Sequence, residues 1–303
     1  QGGIEVALGE KCLVVGSGIS GIGSAGLLEH MGADVVLYDS NEKLTQEEMQ
    51  GKLPQGSHVR CVAGELPEDV AAGVQTVVLS PGVPVDIPLV CRLRESGADV
   101  IGEIELGYQM EKGRIAAITG TNGKTTTTTL VGEILKAHLG QERVFVVGNI
   151  GNPYTSECLK TTRESVTVGE ISSFQLETIR YFHPAVSAIL NITPDHLNRH
   201  HTMEAYVAAK ENIAMNQTKD DICVLNHDNA YTREFGARCP ARPVYFSSAG
   251  ALEEGYYLEG EKIVKSFAGS RQELMDIHRD MRLVGLCNVE NVMAAIAIAE
   301  GMG

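Results

Sequence analysis

The chain has 303 residues, of which 43% are hydrophobic and 21% charged, and its formal net charge at pH 7 is −14. This length fits roughly two domains of about 150 residues each. The acidic balance argues against a general nucleic-acid surface, because phosphate backbones require clustered lysine and arginine. No uninterrupted apolar run approaches the ~18 residues of a membrane span.

The seven cysteines are scattered, and none forms a C-x-x-C pair. This usage is typical of reduced thiols in a cytosolic protein. We therefore predict a cytoplasmic protein that neither binds nucleic acid nor inserts into a membrane. The sequence does not determine the oligomeric state, and a monomer is favoured.

Residues 11 to about 102 alternate strand-like and helix-like segments. The pattern predicts strands at 11–15, 34–38, 74–79 and 99–101, and helices at 19–31 and 89–96. Strands that alternate with helices favour a parallel sheet with crossover connections. We predict a Rossmann-like first domain over residues 1–102, although the unit is short for a full dinucleotide fold.

A glycine motif follows the first of these strands. Gly16, Gly18 and Gly21 match G-x-G-x-x-G between a strand and a helix, and Asp39 closes the second strand. In nucleotide-binding folds this context admits a diphosphate, and the acid bonds a ribose. The alternative is a purely structural turn. The motif predicts phosphate or nucleotide binding, but the glycines do not decide which nucleotide.

A second alternating series starts at Arg114 and predicts an α/β domain over residues 103–303. Its predicted elements are strands at 114–119, 144–147, 165–169, 185–191 and 222–226, helices at 124–138, 172–180, 203–217 and 288–300, and a small β region within 244–285. The predicted fold class is therefore α/β, with a Rossmann-like parallel-sheet domain followed by a mononucleotide-binding domain.

The loop between strand 114–119 and the next helix carries the chemistry of a P-loop. Its sequence, T-G-T-N-G-K-T-T at 119–126, places Lys124 to reach terminal phosphates and the Thr125 hydroxyl to ligate Mg²⁺. The standard pattern has glycine where this chain has Ile118. The alternative is an ordinary glycine turn before a helix.

Polar residues follow two further predicted strands. Glu170 ends strand 165–169, a common position for a Mg²⁺ carboxylate, although it could be a solvated glutamate. Asp195 and His196 follow strand 185–191 at the same sheet edge, and His196 is either a metal ligand or a structural or exposed side chain. From the residues alone, Lys210 reads as a solvated helix lysine.

His200 and His201 come shortly after this loop, and we predict that both lie on the surface.

Five motifs follow one another as they do in the Mur ligases, and the chain resembles that family over nearly all of residues 11–300. They are the P-loop, G-N-I-G at 148–151, E-I-S-S-F-Q-L-E at 170–177, N-I-T-P-D-H at 191–196 and G-x-x-N-x-x-N at 285–291. The serine-rich octad, with G-E-I-E-L at 102–106, resembles the branch of the family that adds D-glutamate. Sister ligases and folylpolyglutamate synthetases share the P-loop variant.

The resemblance implies an ATP-dependent amide ligase of peptidoglycan synthesis. ATP would phosphorylate the carboxylate of UDP-N-acetylmuramoyl-L-alanine, and the amine of D-glutamate would attack the acyl phosphate. The implied cofactors are ATP and two Mg²⁺ ions, together with a carbamylated Lys210.

The resemblance also implies roles for individual residues. The implied ATP-binding residues are Gly120, Thr121, Asn122, Gly123, Lys124, Thr125, Thr126, Asn288 and Asn291. The implied residues for the UDP-substrate are Ile19, Ser20, Asp39, Ser40, Ser80, Pro81, Gly82, Asn149, Ser172 and Gln175. Thr125 and Glu170 would hold one Mg²⁺, and His196 and Lys210 the other. The implied catalytic residues are Lys124, Glu170, His196 and Lys210.

Two departures from the family pattern and three rival interpretations remain. Position 287 is Cys where the family often has His, and we expect the family's third domain, which binds the incoming amino acid, to be absent from this chain. The chain alone is therefore expected to be inactive. The rivals are a sister Mur ligase or a folylpolyglutamate synthetase-like ligase, a non-catalytic nucleotide-binding module, and an NAD-dependent oxidoreductase built on residues 11–102.

Overall fold

A computed structural model describes residues 6–7, 9–148, 151–282 and 285–303 of the chain. The described residues form two compact units. The first comprises those within 1–112, 150–160 and 174–182, and the second comprises those within 113–149, 161–173 and 183–303. The first unit thus reaches past the predicted boundary at residue 102, and the chain returns to it twice.

The regular elements are as follows in chain order. The strands are β1 (Lys11–Val15), β2 (Asp34–Asp39), β3 (Arg60–Ala63), β4 (Thr76–Leu79), β5 (Asp99–Gly102), β6 (Arg114–Thr119), β7 (Val144–Gly148), β8 (Val166–Glu170), β9 (Val186–Ile189), β10 (Ile222–Asn226), β11 (Arg242–Ser247), β12 (Gly255–Glu259), β13 (Lys262–Phe267) and β14 (Ser270–Asp276). The helices are α1 (Ile19–His30), α2 (Gln46–Gly51), α3 (Glu68–Ala71), α4 (Pro88–Glu95), α5 (Glu103–Tyr108), α6 (Lys124–Leu139), α7 (Tyr154–Glu157), α8 (Ser173–Leu176), α9 (Leu197–His200), α10 (Met203–Glu211), α11 (Ala230–Gly236), α12 (Ile277–Asp280) and α13 (Leu286–Gly301). Short 3₁₀ helices cover Gln141–Arg143, Cys158–Lys160 and Asn212–Ala214.

The first unit is built on a parallel sheet with the strand order β3-β2-β1-β4-β5. At its centre Leu13 of β1 pairs with Val36 of β2 and Val77 of β4. Central strands of such sheets are covered on both faces, which explains why β1 reads as a nearly continuous apolar run. The order reverses between β1 and β4, and ligands of open α/β sheets bind at such a reversal.

The second unit contains a mixed sheet with the order β14-β13-β12-β11-β10-β9-β6-β8-β7. All neighbouring strands from β7 to β12 in this order pair in parallel. The last two pairs, β12 with β13 and β13 with β14, are antiparallel. Helices α6 and α13 pack against each other in this unit. The predicted small β region at 244–285 is therefore part of the main sheet and includes its antiparallel edge. The α/β fold class predicted from the sequence is confirmed.

Two predicted helices are shorter than expected. The helix predicted at 172–180 ends at Leu176, and the one predicted at 203–217 ends at Glu211 and continues as a 3₁₀ turn. Buried Glu105 accepts hydrogen bonds from the backbone amides that follow the first of these helices: Arg180 (2.9 Å), Tyr181 (2.8 Å) and Phe182 (3.1 Å). This carboxylate takes amides that a longer helix would use, and it ties the segment 174–182 to α5 in the first unit.

All seven cysteines are free thiols, and Cys12 and Cys223 are fully buried, as their apolar surroundings predict. No helix in the described part of the chain is long and apolar enough to cross a membrane.

Candidate functional site

The P-loop links β6 to α6 and consists of Gly120 to Gly123. Gly123 precedes the helix with φ 85°, and a Cβ there would lie 2.3 Å from Asn291 Oδ1. The left-handed conformation favours glycine here, and a Cβ would displace the Asn291 side chain. Ile118 is fully buried in β6, so the strand continues where the standard loop would begin. The departure from the standard pattern is therefore a shorter loop.

Lys124 occupies the first turn of α6 and bends back over the loop. Its Nζ donates hydrogen bonds to the carbonyls of Gly120 (2.8 Å) and Thr121 (3.4 Å). Burial lowers the pKa of Lys124, and the negative charges of Glu170 and Asp195 oppose this shift. The ammonium therefore lies at the N-terminal end of α6. Its positive charge and the helix dipole both favour the binding of an anion there.

Glu170, at the end of β8, is buried with 3% of its surface exposed. Thr125 Oγ1 donates to its Oε1 at 2.9 Å, whereas its buried Oε2 accepts no hydrogen bond from any residue that the structure describes. An unpaired buried carboxylate oxygen is costly, and a bound cation would relieve that cost. The burial of its side chain excludes the alternative that Glu170 is a solvated glutamate. The hydroxyl and carboxylate oxygens are hard ligands of the kind that Mg²⁺ prefers.

Lys210 is buried on α10 with 2% of its surface exposed, which excludes a solvated helix lysine. Its Nζ donates to Gly120 O at 2.8 Å and to Thr119 Oγ1 at 3.4 Å. Burial, followed by the nearby charge of Lys124, lowers its pKa to about 7. Both lysines thus donate to the same carbonyl, that of Gly120 in the P-loop.

Tyr206 adds a contact beneath the P-loop that the sequence did not reveal. Its buried hydroxyl lies 2.9 Å from Thr121 Oγ1, and Lys210 Nζ lies 5.0 Å from the centre of its ring. Thr121 Oγ1 also accepts a hydrogen bond from Thr193 N at 3.0 Å. The loop that follows β9 and helix α10 therefore both contact the P-loop.

His196 precedes α9 with φ 51°, and about half of its side chain is exposed. Its Nε2 lies 3.6 Å from Asp195 Oδ2. Within the described residues, no group of three or more His, Cys, Asp or Glu side chains is arranged to hold a metal ion. The second Mg²⁺ site, with His196 and a carbamylated Lys210, therefore stays a prediction.

His200 corrects one prediction, because it is buried whereas His201 is exposed. Its Nε2 lies 2.9 Å from Ser173 Oγ, and its ring lies against Tyr206. Burial, followed by the neighbouring cations, lowers the pKa of His200 to about 4. The short helix α9 turns this side chain inward. The adjacent histidines look alike in the sequence, which carries no signal that separates them.

We expect His200 to make the protein sensitive to mild acid. The unfolded chain binds a proton at its ordinary pKa near 6.5, and the folded chain does so only near 4, so stability falls as the pH drops between these values. Urea unfolding of wild type and of His200→Gln at pH 7 and pH 5 measures this. Wild type should lose more stability than the variant. His201→Gln is the exposed control, and parallel losses in wild type and His200→Gln would contradict the expectation.

Helix α13 brings its first turns to the P-loop. Asn291 Oδ1 accepts a hydrogen bond from Thr127 Oγ1 at 3.3 Å and lies against Gly123. Asn288 is half-buried one turn earlier, and Cys287 beside it is exposed. Both predicted asparagines therefore lie on the helix that packs against the start of α6.

In the first unit, the glycine motif forms the turn between β1 and α1. A Cβ on Gly21 would lie 1.8 Å from the carbonyl oxygen of Gly16, so the close approach requires glycine. Asp39 Oδ2 accepts hydrogen bonds from Ser17 N (3.0 Å) and Ser17 Oγ (2.6 Å), and its Oδ1 accepts one from Asn41 N (3.0 Å). Burial alone would raise the pKa of Asp39, but these hydrogen bonds outweigh it and lower the pKa.

Most of the predicted UDP-substrate residues in the first unit share one sheet edge. The glycine motif follows β1, Asp39 ends β2 and Ser40 comes directly after it, and residues 80–82 follow β4. Since β1 lies between β2 and β4 in a parallel sheet, these three strand ends are neighbours. The Ser80 hydroxyl donates to Gly16 O at 3.4 Å.

Other predicted residues are placed differently. Ser20 Oγ donates at 3.3 Å to the buried carboxylate of Glu103, whose pKa is raised by burial. Gln175 is buried in the first unit, Ser172 belongs to the second, and Asn149 lies outside the described residues.

A cavity of about 930 Å³ runs beside α1 in the first unit. Its lining includes Ser17, Ile19, Ile22, Lys52, Leu53 and Leu159. Of the predicted UDP-substrate residues that the structure describes, only Ile19 lines it. Of the other predicted residues of this unit, Ser20 lies in the first turn of α1, Gln175 is buried, and the rest lie at the strand ends.

We expect Asp39→Ala to weaken UDP binding and to leave MgATP binding unchanged. A charged hydrogen bond contributes about 1.5–3 kcal/mol, which corresponds to roughly a 10- to 100-fold loss in affinity. Calorimetric titration of both nucleotides measures the effect. Ser17→Ala is the matched control, because it removes one partner of the carboxylate and keeps the carboxylate itself. Equal losses for UDP and MgATP, or none for UDP, would contradict the expectation.

Comparison with known proteins shows two family matches along the chain. The Mur ligase middle domain matches residues 118–299, and the N-terminal domain of MurD-like Mur ligases matches residues 10–102. The chain belongs to the Mur ligase family. The family predicted from the five motifs is thereby confirmed, and both glycine-rich loops lie inside the matched regions.

Curated relatives are named UDP-N-acetylmuramoylalanine–D-glutamate ligase. The relative from Lachnospira eligens is 52% identical over 291 residues, which is 96% of this chain and 64% of that protein. The relative from Clostridioides difficile is 44% identical over 292 residues, with the same shares covered. These names agree with the resemblance that the octad predicts. This Mur ligase chain spans 64% of the length of each of these relatives.

Solved structures of Mur ligases share the fold. A UDP-N-acetylmuramate–alanine ligase from Thermotoga maritima has a TM-score of 0.53 and 24% identity, and the match covers 97% of this chain and 65% of that one. A MurF ligase from the same organism, solved in complex with ADP, has a TM-score of 0.52 and 15% identity, covering 98% and 61%.

Proposed function

We propose that the protein containing this chain uses ATP to join D-glutamate to UDP-N-acetylmuramoyl-L-alanine in peptidoglycan synthesis. Among the Mur ligases, the names of relatives at 44–52% identity support D-glutamate as the amino acid that is added. The free cysteines support a cytoplasmic location, and a monomer stays our preferred oligomeric state.

The observation that carries the proposal is the convergence of three ionisable side chains on the start of α6. Lys124 and Lys210 both donate to Gly120 O, and the negative charge of Glu170 acts on Lys124. Phosphoryl transfer to a carboxylate brings two anions together, so catalysis depends on positioned charge that neutralises them. An ordinary glycine turn would not need a buried and a half-buried lysine beside a buried carboxylate.

In the proposed first step, a carboxylate oxygen of the alanine attacks the γ-phosphorus of ATP, the bond to the β–γ bridging oxygen breaks, and ADP leaves. The amides at the start of α6 and the ammonium of Lys124 bind the phosphates. The Thr125 hydroxyl and the unpaired Glu170 oxygen fit one Mg²⁺. Mg²⁺ bound there would neutralise charge on the phosphate oxygens.

In the proposed second step, the D-glutamate amine attacks the acyl carbon, loses a proton, and phosphate leaves as the amide forms. Lys210 and His196 are proposed to hold a second Mg²⁺ beside the reacting carboxyl. A free ammonium has no lone pair for a metal, so this role requires the carbamate of Lys210. The lowered pKa of Lys210 supports it, since a neutral amine is what reacts with CO₂.

The first unit is proposed to bind the UDP part of the substrate at the ends of β1, β2 and β4. Ile19, Ser20, Asp39 and Ser40 would meet the uracil and the diphosphate, with residues 80–82 nearby. Asn149, Ser172 and Gln175 are proposed to face the sugar and its peptide.

Separate titrations of this chain with MgATP, UDP-N-acetylmuramoyl-L-alanine and NAD test the proposal. Binding of the first two and not of NAD is expected. The two ligands should affect different residues, with MgATP shifting the NMR signals of the P-loop and the UDP-substrate those of the glycine motif. Failure of MgATP to bind folded protein would contradict the proposal, and tight binding of NAD would favour an oxidoreductase.

A further inference from the structure

The short P-loop is supported from beneath by a side chain that none of the functional roles above uses. Asn191 lies two residues after β9, the strand that pairs with β6 on the side away from β8. Its Oδ1 accepts hydrogen bonds from Thr121 N at 3.0 Å and Asn122 N at 2.8 Å. Its Nδ2 donates to Asn122 O at 2.9 Å. One amide side chain therefore holds two successive residues of a loop that has only four.

The chemistry of these contacts fixes the orientation of the Asn191 amide. Its oxygen faces two N–H donors, and its nitrogen faces a carbonyl acceptor. The flipped amide would place N–H groups against N–H groups and oxygen against oxygen, which leaves all three contacts unfavourable. The backbone carbonyl of Asn191 also accepts from Thr121 N at 3.0 Å, so Asn122 N is the amide that depends on the side chain.

The Asn191 contacts decide which amides of the loop can meet a phosphate. Thr121 N and Asn122 N point to Asn191, and the first hydrogen bond of α6 runs from Thr127 N to Gly123 O. The amides of Lys124, Thr125 and Thr126 therefore precede the first helical bond, as the opening amides of any helix do. These amides are directed along the helix axis, where a phosphate binds.

We propose that Asn191 is a positioning residue that compensates for the shortened P-loop. In this chain β6 continues through Ile118 and Thr119, and the loop has no first glycine at 118. The three hydrogen bonds of the Asn191 side chain form a clamp that fixes Thr121 and Asn122. With the loop held in this way, the phosphates of ATP are bound by the start of α6. This role rests on the proposed function, because it concerns the ATP site of the same ligase.

Asn191→Ala tests the clamp in two independent ways. Without nucleotide, the amide of Asn122 should exchange with solvent at least about tenfold faster, as measured by NMR, because it loses its acceptor. With nucleotide, affinity for MgATP should fall about tenfold or more, because the loop is no longer held in one geometry. Affinity for UDP should not change. Unchanged exchange at Asn122 would overturn the clamp, whatever happens to nucleotide binding.

Two further variants separate positioning from general destabilisation. Asn229→Ala is the matched control, because Asn229 Nδ2 donates to Ile192 O at 3.0 Å in the same loop. It should lower the melting temperature and leave MgATP affinity within twofold of wild type. Asn191→Asp keeps the acceptor for Asn122 N but replaces the donor Nδ2 by an oxygen that faces the Asn122 carbonyl. The Asn122 amide proton should therefore be protected better than in Asn191→Ala and less well than in wild type. Loss of MgATP affinity in Asn229→Ala equal to that in Asn191→Ala, or an Asn122 amide no better protected in Asn191→Asp than in Asn191→Ala, would overturn the assignment.

The experiment distinguishes failure of this inference from failure of the proposed function. If wild-type protein does not bind MgATP, the proposed function fails, and the exchange rate of the Asn122 amide still reports on the clamp. If wild type binds MgATP and Asn191→Ala binds it equally well, the proposed function stands and the positioning role is wrong.

Discussion

Replacing Lys124 by methionine should weaken the binding of MgATP to this chain at least about 100-fold. Methionine keeps most of the length of the side chain and removes its charge. A hydrogen bond to a charged group contributes about 1.5–3 kcal/mol, and an ammonium between two phosphates makes more than one of them. Isothermal titration calorimetry on the folded variant measures the loss.

The stability of Lys124→Met makes the test specific. Burial lowers the pKa of Lys124, and its ammonium shares the Gly120 carbonyl with Lys210, so its removal relieves both desolvation and repulsion. The melting temperature should therefore not fall. Lys136→Met is the control, since Lys136 lies in the last turn of the same helix and contacts only Glu133 at 3.8 Å among the ion pairs of the described residues. Normal MgATP binding by folded Lys124→Met would show that the loop is only a turn between β6 and α6 and does not bind phosphate through Lys124.

The elements that the sequence predicted well are those that periodicity and glycine chemistry determine locally. Strands β1 and β6 have the predicted bounds, because each is an apolar run that ends at a glycine loop. Helix α6 differs from its prediction by one residue at its end. Short elements such as β3 and α3 were not predicted, because four residues carry little periodicity.

Burial of polar side chains could not be predicted, because it is set by tertiary contacts. Lys210 and His200 look like surface residues in the sequence, yet both pack around Tyr206 under the P-loop. The resemblance to the family, and not the local pattern, pointed to Lys210. Asn191 was part of a quoted motif, but only the geometry of its three hydrogen bonds gives it a physical role.

The extent of the first unit could not be predicted either, because it also depends on tertiary contacts. The strand and helix pattern stops at residue 102, and the segment 174–182 is far away in the chain. Buried Glu105 joins the two by accepting three backbone amides. A carboxylate on a short helix gives no sequence signal that it will bind backbone groups about 75 residues further along the chain.

Lys210→Ala should lower the rate of D-glutamate ligation by the natural protein that contains this chain by about 10²–10³-fold. This is the loss typical of removing one preorganised charged or polar group at the reacting centre. The proposed carbamate would contribute two anionic oxygens, which alanine cannot replace. Added acetate or propionate should therefore restore part of the activity by supplying a carboxylate in the space that the side chain leaves. Initial rates of amide formation with and without the acid measure both effects.

The modification itself can be detected in the present chain. In buffer with ¹³C-labelled bicarbonate, wild type should give a carbamate signal by NMR, and Lys210→Ala should not. The signal should grow from pH 6 to pH 8, because burial lowers the pKa of Lys210 to about 7 and the neutral amine that reacts with CO₂ becomes more abundant as the pH rises. Lys160→Ala is the control, since Lys160 is exposed and paired with Glu157. Full activity of untreated Lys210→Ala, or a carbamate signal that persists in it, would leave Lys210 with a structural role, in which its ammonium supports the Gly120 carbonyl and no metal is involved.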